Sequence, residues 1–114
     1  MGTVSLSGDD FAAATQAAGI VLVDFRDPAS GSSRAFAAVF DAVAQRHPDL
    51  RFAAVDLPAE PGLAAAVGVK RAPSLMVFRD GVPVFAEPGW FPEDSVELLI
   101  ATVRETFPEP VHRP

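Results

Sequence analysis

The sequence of 114 residues contains no cysteine. Disulfide bonds, thiolate nucleophiles and thiolate metal sites are therefore excluded by composition alone. The two histidines, His47 and His112, are far apart in the sequence, and the carboxylates are too scattered to form a ligand set of recognisable spacing. We expect no metal site and no other cofactor.

Basic residues and long apolar runs are also scarce. Nine Lys and Arg residues face fifteen Asp and Glu residues, which gives a formal net charge of −6. This charge repels phosphate backbones and anionic lipid surfaces, and no basic cluster offsets it, so we expect no nucleic-acid partner. The aliphatic run over 20–23 is far too short to span a bilayer, and the N-terminus has no signal-peptide pattern. We therefore expect a cytoplasmic protein without a membrane partner.

The composition that remains is that of one globular domain. Hydrophobic residues make up 49% of the chain, which is enough to close a single core. We predict one domain over 1–107. The segment 108–114 has no periodicity and is predicted to be a flexible C-terminal tail.

Hydrophobic periodicity and turn residues divide this domain into alternating strands and helices. Apolar residues at helical spacing and cap residues at segment starts predict four helices, at 7–19, at about 33–46, at 60–67 and from Pro92 onward. Short apolar runs predict strands at 20–25, 52–57, 74–78 and 82–85, with a weak strand near 4–6. Asp80-Gly81 suits a two-residue hairpin turn, and Pro83 places the last strand at a sheet edge. The order predicts an α/β fold, with a central mixed sheet flanked by helices on both faces.

Several segments match one known family in the same order along the chain. They are Val21-Leu22-Val23-Asp24-Phe25, Arg34-Ala35-Phe36-Ala37, Ala66-Val67-Gly68-Val69, Ala72-Pro73-Ser74-Leu75-Met76-Val77-Phe78, Asp80-Gly81 and Gly89. Over residues 9–105 the chain resembles thioredoxin, which implies the thioredoxin fold. The activity implied by the family is protein-disulfide oxidoreduction.

The segment that matches the family's redox motif has lost both thiols. The family's Trp-Cys-Gly-Pro-Cys corresponds to Ala29, Ser30, Gly31, Ser32 and Ser33. A serine hydroxyl can neither attack a disulfide nor resolve a mixed disulfide, so Ser30 and Ser33 cannot replace the cysteines. We expect no catalytic residue here, because the segment has no nearby general base for a hydrolase and is best explained as a helix cap.

Asp24 corresponds to the buried acid that serves the family as a proton relay, and here it has no thiol to assist. Burial in an apolar strand should raise the pKa of its carboxyl group. Hydroxyl groups, water or nearby Arg26 are the expected partners of this carboxyl.

The resemblance also implies a groove for polypeptide. Pro73 matches the family's cis-proline, and the backbone at Ala72 would pair with an extended segment of a client protein. Gly89 and Trp90 would border the same groove, and Ala29 would lie beside it. Trp90 has two interpretations: it anchors a peptide, or it packs over the start of the last helix.

Together these features predict a non-catalytic polypeptide-binding or adaptor module whose partner is an extended segment of a client protein. The alternative is a thioredoxin-family oxidoreductase whose cysteines were replaced or lost.

Overall fold

The computed structural model describes residues 2–106, so the predicted tail at 108–114 lies outside the described residues. Strands and helices alternate along the chain as β1 (Val4–Ser5), α1 (Gly8–Thr15), β2 (Ile20–Arg26), α2 (Gly31–Arg46), β3 (Arg51–Asp56), a 3₁₀ turn (Leu57–Ala59), α3 (Pro61–Val67), β4 (Ser74–Arg79), β5 (Val82–Pro88) and α4 (Glu93–Thr106).

The strands form one mixed sheet in the order β1-β3-β2-β4-β5. The central strand β2 pairs in parallel with β3 and antiparallel with β4, and β5 completes an antiparallel hairpin at the edge. Arg26 and Asp56 end their strands side by side, so the loop that follows β2 leaves from the carboxyl edge of the parallel pair. The predicted mixed sheet is confirmed.

Helices cover both faces of this sheet, as predicted. On one face, apolar side chains of α2 and α4 such as Phe36, Phe40 and Ile100 pack with Leu22 and Val77 of the sheet. On the other face, α1 and α3 pack against a second set of sheet side chains. The two layers bury β2 on both sides, which explains its nearly continuous apolar sequence.

The hairpin between β4 and β5 has the predicted turn. Asp80 and Gly81 have φ values of 53° and 84°, the left-handed conformation that a two-residue turn of this type requires. Pro83 lies on the edge strand, where the missing N–H costs no ladder bond to a further strand.

Three predicted boundaries were wrong by two to four residues. Helix α1 ends at Thr15, short of Gly19, because the N–H and C=O of Gly19 bond to the side chain and backbone of Asp80. Strand β5 continues to Pro88 because Ser74 and Leu75 still pair with it. Helix α2 begins at Gly31, two residues early, because the residue before it supplies the cap.

Among the helices in residues 2–106, none is both long enough and apolar enough to cross a membrane.

Candidate functional site

The loop between β2 and α2 is organised by serine hydroxyls. Ser30 is the N-cap of α2, and its Oγ accepts a hydrogen bond from the Ser33 N–H at 3.2 Å. The Oγ of buried Ser33 accepts one from the Asp27 N–H at 2.8 Å. The expectation that this segment caps a helix is confirmed for Ser30, and both hydroxyls satisfy backbone donors at the helix start.

Within the described loop between β2 and α2, no serine hydroxyl is paired with a general base. The Ser30 Oγ contacts the Ser32 Oγ at 3.2 Å, and neither hydroxyl has a histidine or carboxylate partner. His47 lies at the opposite end of α2, where its Nε2 is 2.7 Å from the Glu97 Oε1. The described residues also contain no cluster of three or more potential metal ligands.

Asp24 is fully buried in β2 and is held by a charged neighbour. The Arg26 Nε donates to the Asp24 Oδ2 at 2.7 Å, so Arg26 is the partner expected from the sequence. The Asp24 Oδ1 has no hydrogen-bond partner among residues 2–106. Arg26 also donates through Nη2 to the Asp41 Oδ1 at 2.6 Å, and the Thr3 hydroxyl donates to the same oxygen at 2.7 Å.

Burial dominates the ionisation of this group. Desolvation raises the pKa of Asp24 from 3.8 to about 6, although the hydrogen bond and charge of Arg26 act in the opposite direction. Burial alone would lower the pKa of Arg26, but hydrogen bonds to Asp24 and Asp41 raise it above its ordinary value. The predicted rise in the pKa of Asp24 is confirmed.

A hollow of about 420 Å³ lies where three loops meet. Its lining consists of Ser32, Arg71, Ala72, Pro73, Pro88, Gly89 and Trp90. The Ala72–Pro73 peptide bond is cis, and the Pro73 carbonyl accepts a hydrogen bond from the Gly89 N–H at 2.8 Å, which joins two of the loops. Trp90 is 48% exposed beside them. We call this hollow the groove.

The structure brings together most of the residues predicted for binding. Ala72, Pro73, Gly89 and Trp90 all line the groove. Ala29 does not: it is exposed in the loop before α2, where its N–H donates to the Asp27 Oδ1 at 2.9 Å.

Sequence reasoning missed other residues of the site. Arg71 and Pro88 line the groove, and each directly adjoins a predicted binding residue, which was the available signal. Asp41 and Thr3 complete the charge network around Arg26 from distant elements. No local pattern marks them, because they reach Arg26 only through the tertiary fold.

A mixed five-stranded sheet between two helical layers, with a loop and helix start at the carboxyl edge of its central strand and a cis-proline before β4, defines an α/β domain of the thioredoxin fold. The family model described as Thioredoxin matches residues 2–102. The chain belongs to the thioredoxin family.

Related proteins agree with this assignment. A Streptomyces coelicolor protein assigned as thioredoxin 2 is 37% identical over 103 residues, which cover 90% of this chain and 77% of that protein. Thioredoxin of Chlamydia muridarum is 34% identical, covering 84% of this chain and 93% of its own. Among solved structures, a point mutant of thioredoxin from Halobacterium salinarum has a TM-score of 0.82 and 28% identity, over 97% of this chain and 95% of that one.

Proposed function

We propose that this chain is a non-catalytic polypeptide-binding or adaptor module, which holds an extended segment of a client protein in the groove beside Pro73. The observation that carries the proposal is the unoccupied backbone of Ala72. Ala72 lines the groove, and among the described residues neither its N–H nor its C=O has a hydrogen-bond partner. An added strand would satisfy one donor and one acceptor there.

The groove combines this backbone edge with apolar area. Trp90 is half-exposed on its wall, so its indole can cover an apolar side chain of the client at little entropic cost. Affinity should be modest, because no covalent capture offsets the ordering of the bound segment.

The rival function, disulfide oxidoreduction, has less support. Without cysteine, the chain cannot form the mixed disulfide on which that reaction depends. Ser30 and Ser33, at the former redox positions, instead satisfy backbone donors at the start of α2. Asp24, at the former relay position, is bound to Arg26. At these positions the side chains stabilise the fold and supply no redox group.

The test begins with peptides selected on the immobilised protein from a random displayed library. Trp90 is the sole tryptophan, so a selected peptide should shift its emission, and calorimetry should give a matching affinity. Trp90→Ala and Pro73→Thr should weaken binding. Leu98→Ala is the matched control, because Leu98 is 68% exposed on α4 and does not line the groove. Peptides whose affinity is unchanged by Trp90→Ala and Pro73→Thr would contradict the proposal.

A further inference from the structure

Positive charge without a carboxylate partner is unevenly distributed over this acidic protein. Arg26, Arg46, Arg79 and Arg104 each form an ion pair with Asp or Glu. Within residues 2–106, no ion pair to a carboxylate is formed by Arg34, Lys70, Arg71 or Arg51. Arg71 lines the groove, and Lys70 lines a hollow that shares Arg71 with it. Arg34 lines a separate hollow, but it belongs to the first turn of α2, which contributes Ser32 to the groove. We call Arg71, Lys70 and Arg34 the basic rim.

Arg71 is the central member of the rim. It lines the groove together with Ser32 and Trp90, and its side chain is exposed. Lys70 precedes it and is also exposed; both residues line an adjoining hollow of about 270 Å³ that extends toward β5. A segment leaving the groove in that direction would pass two unpaired cations.

Arg34 adds a third positive charge in the first turn of α2. Its Nη1 donates to the Pro28 carbonyl at 2.8 Å, which holds the guanidinium over the loop. Its Nη2 is 3.9 Å from the position that a Cβ on Gly31 would take, so the charge lies directly beside the helix start. The first turn of this 16-residue helix contains no acidic residue, and its dipole favours negative charge at the same place.

Two described carboxylates, those of Asp27 and Glu87, border the rim without forming an ion pair with it. The Asp27 Oδ1 accepts a hydrogen bond from the Ala29 N–H, and Asp27 forms no ion pair with Arg34. Glu87 lines the adjoining hollow with Lys70 and Arg71 and forms no ion pair with either. The rim therefore retains cations that are free to pair with a ligand, whereas the protein as a whole carries a charge of −6.

We propose that the client segment held in the groove is acidic, with Asp or Glu side chains that pair with Arg71, Lys70 and Arg34. This inference rests on the proposed function and adds the chemistry of the partner. The negative net charge of the protein disfavours the binding of acidic ligands elsewhere on its surface. Acidic segments should therefore bind beside the rim, at the groove. Each exposed pair contributes little alone, and discrimination comes from several pairs acting on one extended segment.

Three synthetic peptides of equal length test the proposal. Each alternates valine with a second residue, which is Glu, Gln or Lys, so that backbone and apolar contacts stay the same. The Glu peptide should bind the wild-type protein most tightly and the Lys peptide least, with the Trp90 emission as readout. Arg71→Gln should weaken binding of the Glu peptide roughly two- to fivefold more than binding of the Gln peptide. Added salt should reduce the preference for Glu.

Arg51→Gln is the matched control, because it removes the same unpaired charge at the first residue of β3, the opposite end of that strand from Asp56. It should leave the preference for Glu intact. Equal binding of all three peptides that still depends on Trp90 would overturn the acidic preference and support the proposed function. If Arg51→Gln reduces the preference for the Glu peptide as much as Arg71→Gln does, the role of the rim would be overturned. Absence of binding by all three peptides would count against both.

Discussion

The carboxyl group of Asp24 is the most costly polar group in the core. One of its oxygens is bound by Arg26, the other has no partner in the part of the chain that the structure describes, and the side chain is fully buried. A buried carboxylate with a single partner is poorly compensated for the loss of water. The fold therefore favours the protonated form of Asp24, and its pKa is raised to about 6.

Asp24→Asn should remove a pH-dependent loss of stability. In the folded protein the pKa of Asp24 is about 6, above the ordinary value of 3.8. The stability contributed by protonated Asp24 is therefore fully present below pH 3.8 and is lost as pH rises through about 6. The difference between the two pKa values corresponds to roughly 3 kcal/mol in the free energy of unfolding. The wild-type protein should lose this stability by neutral pH, and the variant should not. Urea denaturation of both proteins from about pH 4 to about pH 7 measures the difference. A difference that stays constant with pH would show that Asp24 is fully compensated.

Ser33 should contribute to stability despite having no redox role. Ser33→Ala leaves the Asp27 N–H without its acceptor, which should cost about 1–2 kcal/mol in the free energy of unfolding. Ser32→Ala, at an exposed neighbour in the same turn, should change it by less than about 0.5 kcal/mol. Thermal and urea unfolding of the two variants compare them directly. Equal effects would contradict the stabilising role of the hydrogen bond between the Asp27 N–H and the Ser33 hydroxyl.

At this scale the sequence predicted the residues that act within one loop or strand, and not those that meet across the fold. Burial of Asp24 and its raised pKa followed from its position in an apolar strand. Arg26 was a foreseeable partner because it lies two residues away on the same face of β2. Asp41 reaches Arg26 from α2 and Thr3 reaches Asp41 from beside β1, and no local spacing encodes either contact.

Among the secondary-structure elements, α3 offers a direct test of backbone conformation. Gly62 lies in the first turn of this helix with negative φ, whereas Gly68 ends it in the left-handed conformation with φ of 76°. At both positions an added Cβ would have no neighbouring atom within 4 Å. The two substitutions therefore differ only in the backbone conformation of the residue that they replace. Gly62→Ala should raise the free energy of unfolding by about 0.4–1 kcal/mol, because it restricts the unfolded chain. Gly68→Ala should lower it by about 1–2 kcal/mol.

Urea denaturation of the pair decides this prediction, since the two variants add the same methyl group to the same helix. Effects of the same sign would mean that Gly62 and Gly68 do not have the two different backbone conformations described for them.

The existence and type of each element were predictable, and their ends less so. Helical spacing identified α2 and α4, and the Asp80-Gly81 pair identified the hairpin. The end of α1 was missed because Asp80 binds Gly19 from 61 positions away, and this tertiary contact prevails over the local helical pattern. The groove was predicted from the resemblance alone, since its loops come together only in the folded chain.

For the molecule as a whole, the absence of cysteine predicts absence of disulfide-reductase activity. The protein should not accelerate the reduction of insulin by dithiothreitol, because no thiolate is present to attack the disulfide. A cysteine-containing thioredoxin is the positive control in the same assay. Turnover above the uncatalysed rate that persists through rigorous purification would contradict this expectation.

The central claim is that the family's groove serves here as a binding surface without thiol chemistry, and amide chemical shifts map it most directly. A selected peptide titrated into ¹⁵N-labelled protein, without reductant, should perturb the amides of Ser32, Arg71, Ala72, Gly89 and Trp90, which line the groove. Amides around Leu98 and Thr102, which border a separate apolar hollow between β5 and α4, should stay unchanged. Perturbations centred on that second hollow, or none at a saturating peptide concentration, would contradict the account.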